Sequence, residues 1–213
     1  RTELYPNFIC DIQSVYDIKG MSIFSSTARE SFVKYMRNFG FHNNGINGLR
    51  NAGLTRVTAS LLGIRDLATI QDTQSIPLMF DEEWSEGEVH FYGNPDALSV
   101  GFMTSDDIID YVPNTTMTDV FAKTNDWVRA MGVQADVYLP INASSSLESG
   151  FMLTGRSGNA LSYTNNAAGS AASFTITVMN ADIGSDVYLY VDRSKGGRVK
   201  ILSGAETVAD YEI

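Results

Sequence analysis

The alternation of hydrophobic and polar positions in residues 20–40, GMSIFSSTARESFVKYMRNFG, predicts a helix over residues 28–39. Its apolar residues recur at helical spacing along one stripe, which consists of Phe32, Tyr35, Met36 and Phe39. Thr27 and Glu30 have the spacing of a capping box, and Gly40 stands where a left-handed C-terminal cap is favourable. We therefore expect Thr27→Ala to destabilise the chain by about 0.5 to 2 kcal/mol. Phe32→Ala should cost about 3 to 5 kcal/mol if Phe32 is fully buried.

Two further helices are predicted near residues 55–62 and 119–131, because each apolar pattern ends at a glycine. Gly63 ends the first of these helices, and an extended stretch, IRDLATIQ, follows it. Thr118 is the predicted N-cap of the second helix, and Gly132 ends it. The stretch FHNNGINGLRNAG is predicted to be a loop, since asparagine and glycine both accept positive φ angles.

Strands are predicted mainly after residue 132, where helical periodicity is absent and short apolar runs alternate with Gly, Ser, Asn and Asp. These runs lie at residues 137–139, 150–153, 160–163, 174–179, 187–191 and 198–202. Earlier, residues 89–92 and 98–103 are predicted to form two strands joined by the turn GNPDA. The pattern predicts an α+β fold. A mixed α/β domain over residues 1–132 would precede an antiparallel β-sandwich or jelly-roll-like domain over residues 133–213.

The composition excludes several classes of protein. The chain has 213 residues and a net charge of -10, which argues against binding to nucleic acid and against docking to an anionic membrane. Cys10 is the only cysteine, so neither an internal disulfide nor a thiolate metal cluster can form. No apolar run approaches the roughly 18 to 20 residues that cross a bilayer. We therefore expect a soluble chain, and its start at Arg1 without a methionine is typical of a fragment.

Two acidic clusters carry the candidate chemistry. In DEEWSEGE, residues 81–88, carboxylates surround Trp84, which fits either a solvated hairpin tip or a cation site. Asp106, Asp107 and Asp110 fit either the start of a short helical turn or a metal site. The sequence lacks a nucleophile–base pair, a phosphate-binding glycine loop and His or Cys ligand spacing, so we predict no catalytic site, no cofactor and no metal. The candidate ligand-surface residues are Trp84, Ser25, Ser26, Asp106 and Asp107.

A series of segments over residues 15–132 resembles the YfhO family of bacterial membrane proteins. The segments are GMSIFSST, a helix ending in a glycine, LLGIRDLATI, YGNPDALSVGFM and VFAKTNDWVRAMG. Ser25 and Ser26 match the family's serine pair, and residues 61–64 match its LLG step. The family segment N-x-x-ALP-GF is matched by Asn94, Ala97, Leu98, Gly101 and Phe102. After residue 132 the chain resembles the family only in the general character of its strands.

The last matching segment is a helix that carries Phe121 and Asn125. Three positions depart from the family pattern: Asp66 replaces an aromatic residue, Ser99 replaces the proline, and Thr124 replaces a glutamine. None of the matched motifs is catalytic. The resemblance is therefore informative about lineage and silent about chemistry.

The resemblance implies a polytopic membrane protein with a large extracytoplasmic portion. Proteins of this family are similar to glycosyltransferases that use polyprenyl-phosphate sugars, and members of the family are linked to the glycosylation of teichoic acids in Gram-positive bacteria. This chain would be the soluble, non-catalytic domain at the extracellular face of the cytoplasmic membrane, where it binds acceptor polymer, acts as a scaffold or recruits partners. Its implied partners are the membrane-embedded remainder of the same polypeptide and a cell-wall glycopolymer.

Two other classes stay open. A secreted carbohydrate-binding or adhesive module fits a β-sandwich with sugars stacked on Trp84 or Trp127, although Trp127 falls on an apolar helix face and Trp84 lacks an aromatic platform nearby. A stand-alone hydrolase needs paired carboxylates in a cleft, and spacing alone pairs none of them. Membrane spans flanking this segment in the gene would favour the membrane protein, whereas a signal peptide with a wall anchor would favour the secreted module.

Overall fold

The computed structural model describes residues 1–5, 11–70, 80–141, 143–157, 160–166, 173–178, 186–191, 198–203 and 205–212. Within these ranges the α-helices are α1 (Ile12–Val15), α2 (Glu30–Arg37), α3 (Arg56–Leu61) and α4 (Val120–Ala130), and a 3-10 helix spans Asp106–Asp110. The first strands are β1 (Thr2–Leu4), β2 (Ile23–Phe24), β3 (Gly48–Leu49), β4 (Asp66–Thr69), β5 (Asp81–Glu86) and β6 (Val89–Gly93). They are followed by β7 (Ala143–Ser149), β8 (Phe151–Ser157), β9 (Ala160–Asn165), β10 (Ser173–Val178), β11 (Arg198–Ser203) and β12 (Glu206–Glu212). The predicted α+β class is confirmed.

The chain divides into two compact units. One consists of Arg1–Met103 with Leu189–Ile213, and the other of Thr104–Tyr188. The domain boundary predicted after residue 132 lies inside the second unit, and it remains a prediction.

The first unit contains a four-stranded sheet in the order β1-β4-β6-β5. β1 runs parallel to β4, whereas β4 with β6 and β5 with β6 are antiparallel. β2 and β3 form a separate short antiparallel pair, and α2 lies against β3. The core of the unit is apolar and includes Val33, Met36, Phe39, Phe41, Leu49, Ile64 and Leu67. The extended segments predicted after Gly63 and at residues 89–92 are therefore confirmed as β4 and β6.

The predicted cap of α2 is wrong. Arg29 is the N-cap of this helix, and no side chain caps it. The Thr27 hydroxyl lies 2.9 Å from Ser25 Oγ, and Ser25 Oγ accepts a hydrogen bond from the Thr27 amide, so both hydroxyls belong to a local turn. Glu30 instead pairs with Lys34 one helical turn later. Thr27→Ala should consequently have little effect on stability.

The predicted burial of Phe32 is also wrong. Phe32 is 47 % exposed, while Val33, the next residue, is fully buried together with Met36. The inward face of α2 therefore includes Val33 in place of Phe32, whereas Met36 and Phe39 of the predicted stripe are buried as expected. The large loss predicted for Phe32→Ala depended on full burial and is no longer expected. Gly40 has a φ angle of 88°, as the predicted C-terminal cap requires.

α3 confirms the second predicted helix and carries the capping box that α2 lacks. The Thr55 hydroxyl accepts from the Thr58 amide at 3.2 Å, and the Thr58 hydroxyl accepts from the Thr55 amide at 2.9 Å. Gly63 follows with a φ angle of 64°, a left-handed conformation that glycine adopts without strain. The chain can then turn directly from α3 into β4.

Residues 98–103 are not a strand, contrary to the prediction. The Leu98 amide donates to the Ser60 carbonyl oxygen at 3.0 Å, so the segment begins on the C-terminal end of α3 and not on a neighbouring strand. The Ser99 hydroxyl then donates to the Gly101 carbonyl oxygen at 2.6 Å, which closes a local turn. These contacts replace the ladder that alternating residues would have formed.

The second unit is organised around α4, which confirms the third predicted helix. Asp119, and not the predicted Thr118, caps it, because Asp119 Oδ1 accepts from the amides of Phe121 and Ala122 at 3.0 and 3.1 Å. Gly132 follows the helix with a φ angle of 101°. The acidic residues at 106, 107 and 110 form the predicted short helical turn, observed as a 3-10 helix.

The strand predicted at residues 137–139 is wrong. The side chain of buried Asn125 on α4 donates to the Tyr138 carbonyl oxygen and accepts from the amides of Val137 and Tyr138. One amide side chain thus satisfies backbone groups that a sheet would have paired. The ring of Tyr138 also packs against Phe121 and Tyr188, with centroid distances of 5.0 and 5.7 Å.

The remaining strands form antiparallel pairs: β7 with β10, β8 with β9, and β11 with β12. The strands predicted near 150–153, 160–163, 174–179 and 198–202 are confirmed over their described residues, whereas residues 187–191 are not a strand. Strands β7 and β12 were not predicted, since ASSSLES and ETVADYE lack a clear apolar alternation. A sandwich or jelly-roll arrangement of these pairs stays a prediction.

Candidate ligand surfaces

The hairpin formed by β5 and β6 presents an aromatic pair at the edge of the four-stranded sheet. Trp84 lies opposite Phe91 in the register, and the two rings stack with centroids 4.3 Å apart and planes 13° apart. Trp84 is 49 % exposed although Phe91 covers one face of its indole, so the other face is the one that a ligand can reach. The expectation that Trp84 lacks an aromatic platform is therefore wrong.

The hairpin that carries this aromatic pair is also rich in carboxylates. The acids of the hairpin are Asp81, Glu82, Glu83, Glu86 and Glu88, and every residue of β5 is exposed. Glu82 lies 2.9 Å from Nδ1 of His90. Beside this contact, Ile70, Gly87, Glu88 and His90 line an open pocket of about 360 Å³. Acids on an edge strand also prevent pairing with other chains, so their presence does not by itself identify a ligand site.

The hairpin has the chemistry of a binding surface. Ser85 lies opposite His90 in the register, but no hydrogen bond joins the two side chains in the described structure. The contact that activates a serine nucleophile is therefore not formed here. An indole face with carboxylate acceptors beside it can bind a ligand that offers C–H groups to the ring and hydroxyl groups to the carboxylates.

Ser25 and Ser26 lie in the turn that precedes α2. The backbone of Ser25 makes two hydrogen bonds. Its amide donates to the Asn47 carbonyl oxygen at 3.2 Å, and its carbonyl oxygen accepts from the Ala28 amide at 3.0 Å. Ser26 is exposed. The arrangement shapes the entry to a helix, and the role of the two serines as ligand contacts stays a prediction.

Asp106 and Asp107 are exposed at the start of the 3-10 helix. Ser105 caps this helix by accepting from the Asp107 amide at 3.4 Å, and its hydroxyl lies 3.1 Å from Asp107 Oδ2. Among the described residues, no group of three or more His, Cys, Asp or Glu side chains is placed to hold a metal ion. The acids stand where they interact favourably with the amides of a helix start.

Asn94 joins two of the segments that carried the family resemblance. Its buried side chain donates to the Ile64 carbonyl oxygen at 3.1 Å and to Ser60 Oγ at 3.2 Å, and it accepts from the Asp96 amide at 3.1 Å. The LLG step and the N-x-x-AL segment are thus adjacent in space. The sequence analysis identified Asn94 as a match to the family pattern but did not predict that it joins the two segments. Its position directly after a predicted strand was the one feature of the sequence that indicated this role.

A buried carboxylate on β1 was missed by sequence reasoning. Glu3 is fully buried, and it accepts hydrogen bonds from Gln13 Nε2 at 3.2 Å, Ser22 Oγ at 3.0 Å, Asn51 Nδ2 at 3.2 Å and the Met21 amide. Burial raises the pKa of the Glu3 carboxyl above its ordinary value, although the hydrogen bonds from Met21, Ser22 and Asn51 act in the opposite direction. All four donors are neutral, so this carboxylate organises the surrounding loops and does not form an ion pair with any of them.

One of three comparisons with known proteins identifies a lineage. A family model described as bacterial membrane protein YfhO matches residues 14–208 of the chain. The match continues well past residue 132, where the resemblance was limited to the general character of the strands. No curated protein and no solved structure matches the chain. In the part of the chain that the structure describes, no helix has both the length and the apolar character needed to cross a membrane.

Proposed function

Because the chain belongs to the YfhO family of bacterial membrane proteins, we propose that it is the extracytoplasmic, non-catalytic part of a membrane protein that glycosylates a cell-envelope polymer of the teichoic acid type. In this role the chain holds the polymer near the membrane-embedded remainder of the same polypeptide, which performs the transfer. It needs no cofactor or metal of its own. The proposal accounts for two findings: the chain belongs to a membrane protein family, and the described hairpin offers a ligand surface without an activated serine nucleophile.

The observation that carries the proposal is the exposed face of Trp84. A flat indole supported from behind by Phe91 is held in one orientation, so little side-chain freedom is lost when a ligand stacks on it. The ring face is electronegative and attracts the weakly positive C–H groups on one side of a pyranose. The carboxylates of the same hairpin can accept hydrogen bonds from sugar hydroxyls.

The negative charge of the hairpin determines which part of the polymer can bind to it. Five carboxylates repel phosphate groups, and the chain as a whole has a net charge of -10. The surface therefore suits the neutral sugar substituents of a teichoic acid and not its phosphate backbone. A free-standing secreted module would share this surface, but family membership favours the membrane protein.

The test is binding of the purified chain to teichoic acid with and without its sugar substituents, measured by calorimetry. We expect the glycosylated polymer to bind more tightly, and Trp84→Ala to weaken that binding about tenfold or more, since the lost ring contact and buried area are worth about 1.5 kcal/mol or more. Phe32→Ala is the matched control, because Phe32 is an aromatic residue of nearly equal exposure in the same unit. Equal binding by the Trp84→Ala chain and the native chain would refute the proposal.

A further inference from the structure

We propose that residues 98–103, the apolar segment, insert into the interfacial region of a phospholipid bilayer that has anionic head groups. This inference concerns a different surface from the hairpin and does not depend on glycan binding. It starts from four exposed apolar side chains on one short stretch: Leu98, Val100, Phe102 and Met103.

The side chains of the apolar segment are more exposed than is usual for apolar residues on a surface that faces water. Val100 is 84 % exposed and Met103 is 98 % exposed, and residues 97–105, ALSVGFMTS, contain no charged side chain. Single exposed apolar residues are normal, but a contiguous uncharged group of them marks an interaction site. Ser99 and Gly101 separate the larger side chains, which therefore stand apart from one another. Separate side chains suit fluid lipid chains better than a closely packed protein surface.

The base of the apolar segment is fixed. Its first residue, Leu98, is bonded to Ser60 at the end of α3, and Asn94 ties the preceding turn to the same place. Gly63 allows this approach, because a Cβ atom there would lie only 3.0 Å from the Leu98 carbonyl oxygen. The apolar side chains are thus presented from a rigid support, which lowers the conformational entropy lost on insertion.

Three arginines lie around this base. Arg1 donates to the Leu62 carbonyl oxygen at 2.7 Å, directly before Gly63, and the Arg65 carbonyl oxygen accepts from the Asn94 amide at 2.7 Å. Arg56 pairs with Asp96 at 2.7 Å. Arg1 and Arg65 are exposed, so they can reach anionic head groups while the apolar side chains enter the layer below.

The net charge of -10 argued against such docking when the sequence was considered as a whole. The base of the apolar segment carries three arginines and two acids, Asp66 and Asp96, of which Asp96 is paired with Arg56, so its local charge is more positive than that of the whole chain. Charges farther away than about 8 Å are largely screened at physiological ionic strength. Apolar insertion is the main driving force, and the arginines select anionic lipid.

The test is sedimentation of the 213-residue chain with two kinds of vesicle: phosphatidylcholine alone, and equal parts of phosphatidylcholine and phosphatidylglycerol. We expect binding to the mixed vesicles. Val100→Ser combined with Met103→Ser should reduce the partition coefficient about tenfold or more, because both side chains lose their apolar contact. Arg65→Gln should reduce binding to the mixed vesicles about fivefold and leave binding to phosphatidylcholine unchanged.

The control is Val15→Ser combined with Val112→Ser, which removes similarly exposed apolar side chains elsewhere. This control should bind like the native chain. Absence of binding to mixed vesicles by the folded native chain would overturn the proposal, as would equal losses in the control and in the Val100 and Met103 variant. A loss of glycan binding in Trp84→Ala has no bearing on it.

Discussion

The first unit places carboxylates in two opposite environments. Glu3 on β1 is fully buried and accepts four hydrogen bonds, whereas five acids lie on the exposed β5–β6 hairpin that carries Trp84. A buried carboxylate must be satisfied by the protein, because it has lost its contact with water. The exposed acids keep their hydration and can exchange it for a ligand. The first arrangement therefore maintains the fold, and the second is available for function.

The largest effect is expected from Glu3→Leu. This substitution leaves the donors Gln13, Ser22 and Asn51 without their acceptor. Each buried unsatisfied donor costs about 1 to 3 kcal/mol, so we expect a loss of about 3 to 5 kcal/mol after partial relaxation. The urea midpoint of unfolding measures it.

Glu3→Gln is the matched variant, and it should cost only about 1 kcal/mol. Its carbonyl oxygen still accepts, the Ser22 hydroxyl can reorient, and Gln13 Oε1 has no hydrogen-bond partner among the described residues. Rotation of the Gln13 amide would give the new donor an acceptor. If Glu3→Leu and Glu3→Gln unfold at the same midpoint, the hydrogen-bond network does not contribute to stability.

A smaller effect is expected from pH. The pKa of Glu3 is raised in the folded chain, so the folded chain binds this proton more tightly than the unfolded chain. The resulting stabilisation is complete below the unfolded pKa of about 4.3 and is lost as the pH rises through the higher folded pKa. A tenfold difference in proton affinity between the two states corresponds to about 1.4 kcal/mol.

The difference in unfolding free energy between the native chain and Glu3→Gln isolates this contribution, because the other carboxylates are common to both. The native chain should lose stability relative to Glu3→Gln as the pH rises above about 4.3. A difference that is constant with pH would mean that the pKa of Glu3 is the same in the folded and unfolded chains.

Threonines at the starts of two helices repeat the contrast between buried and exposed polar groups on a smaller scale. Thr55 and Thr58 are buried and exchange hydrogen bonds at the start of α3, whereas Thr27 is exposed and contacts only the turn before α2. We expect Thr55→Ala to cost about 1 to 2 kcal/mol and Thr27→Ala to stay within about 0.5 kcal/mol. Thermal unfolding of the two variants tests this, and a larger loss for Thr27→Ala would contradict the assignment of the caps.

The helices α2, α3 and α4 could be predicted from the sequence because their signals are local, whereas the single-turn helix α1 was not predicted. Apolar spacing and the terminal glycines located α3 and α4 to within a few residues, and Gly63 and Gly132 have the positive φ angles expected of them. The cap of α2 could not be predicted, because the Thr27–Glu30 spacing does not reveal that Ser25 engages the Thr27 hydroxyl first. The cap of α3 was hidden because a threonine takes the place of the usual glutamate.

The candidate sites were predictable only in part. The acids around Trp84 marked the hairpin, but its pairing with Phe91 depends on a bulge between Glu82 and Trp84 that shifts the register. Glu3 gave no signal, because its partner Asn51 lies 48 residues away and contact at that distance is decided by the whole fold. Long-range register and long-range polar contacts are the features that local patterns do not contain.

The smallest effect is expected from Glu82→Gln on the hairpin. Glu82 is exposed, and its partner His90 is also accessible to water, so solvent replaces the lost contact. An exposed polar contact of this kind contributes about 0 to 1 kcal/mol, and we expect the urea midpoint to move by less than the equivalent of about 0.5 kcal/mol. Glu3→Leu, in the same sheet, is the variant for comparison, because it has the largest expected loss of stability. A loss for Glu82→Gln that approaches that of Glu3→Leu would show that the hairpin acids support the fold, and the hairpin would then no longer qualify as a surface reserved for a ligand.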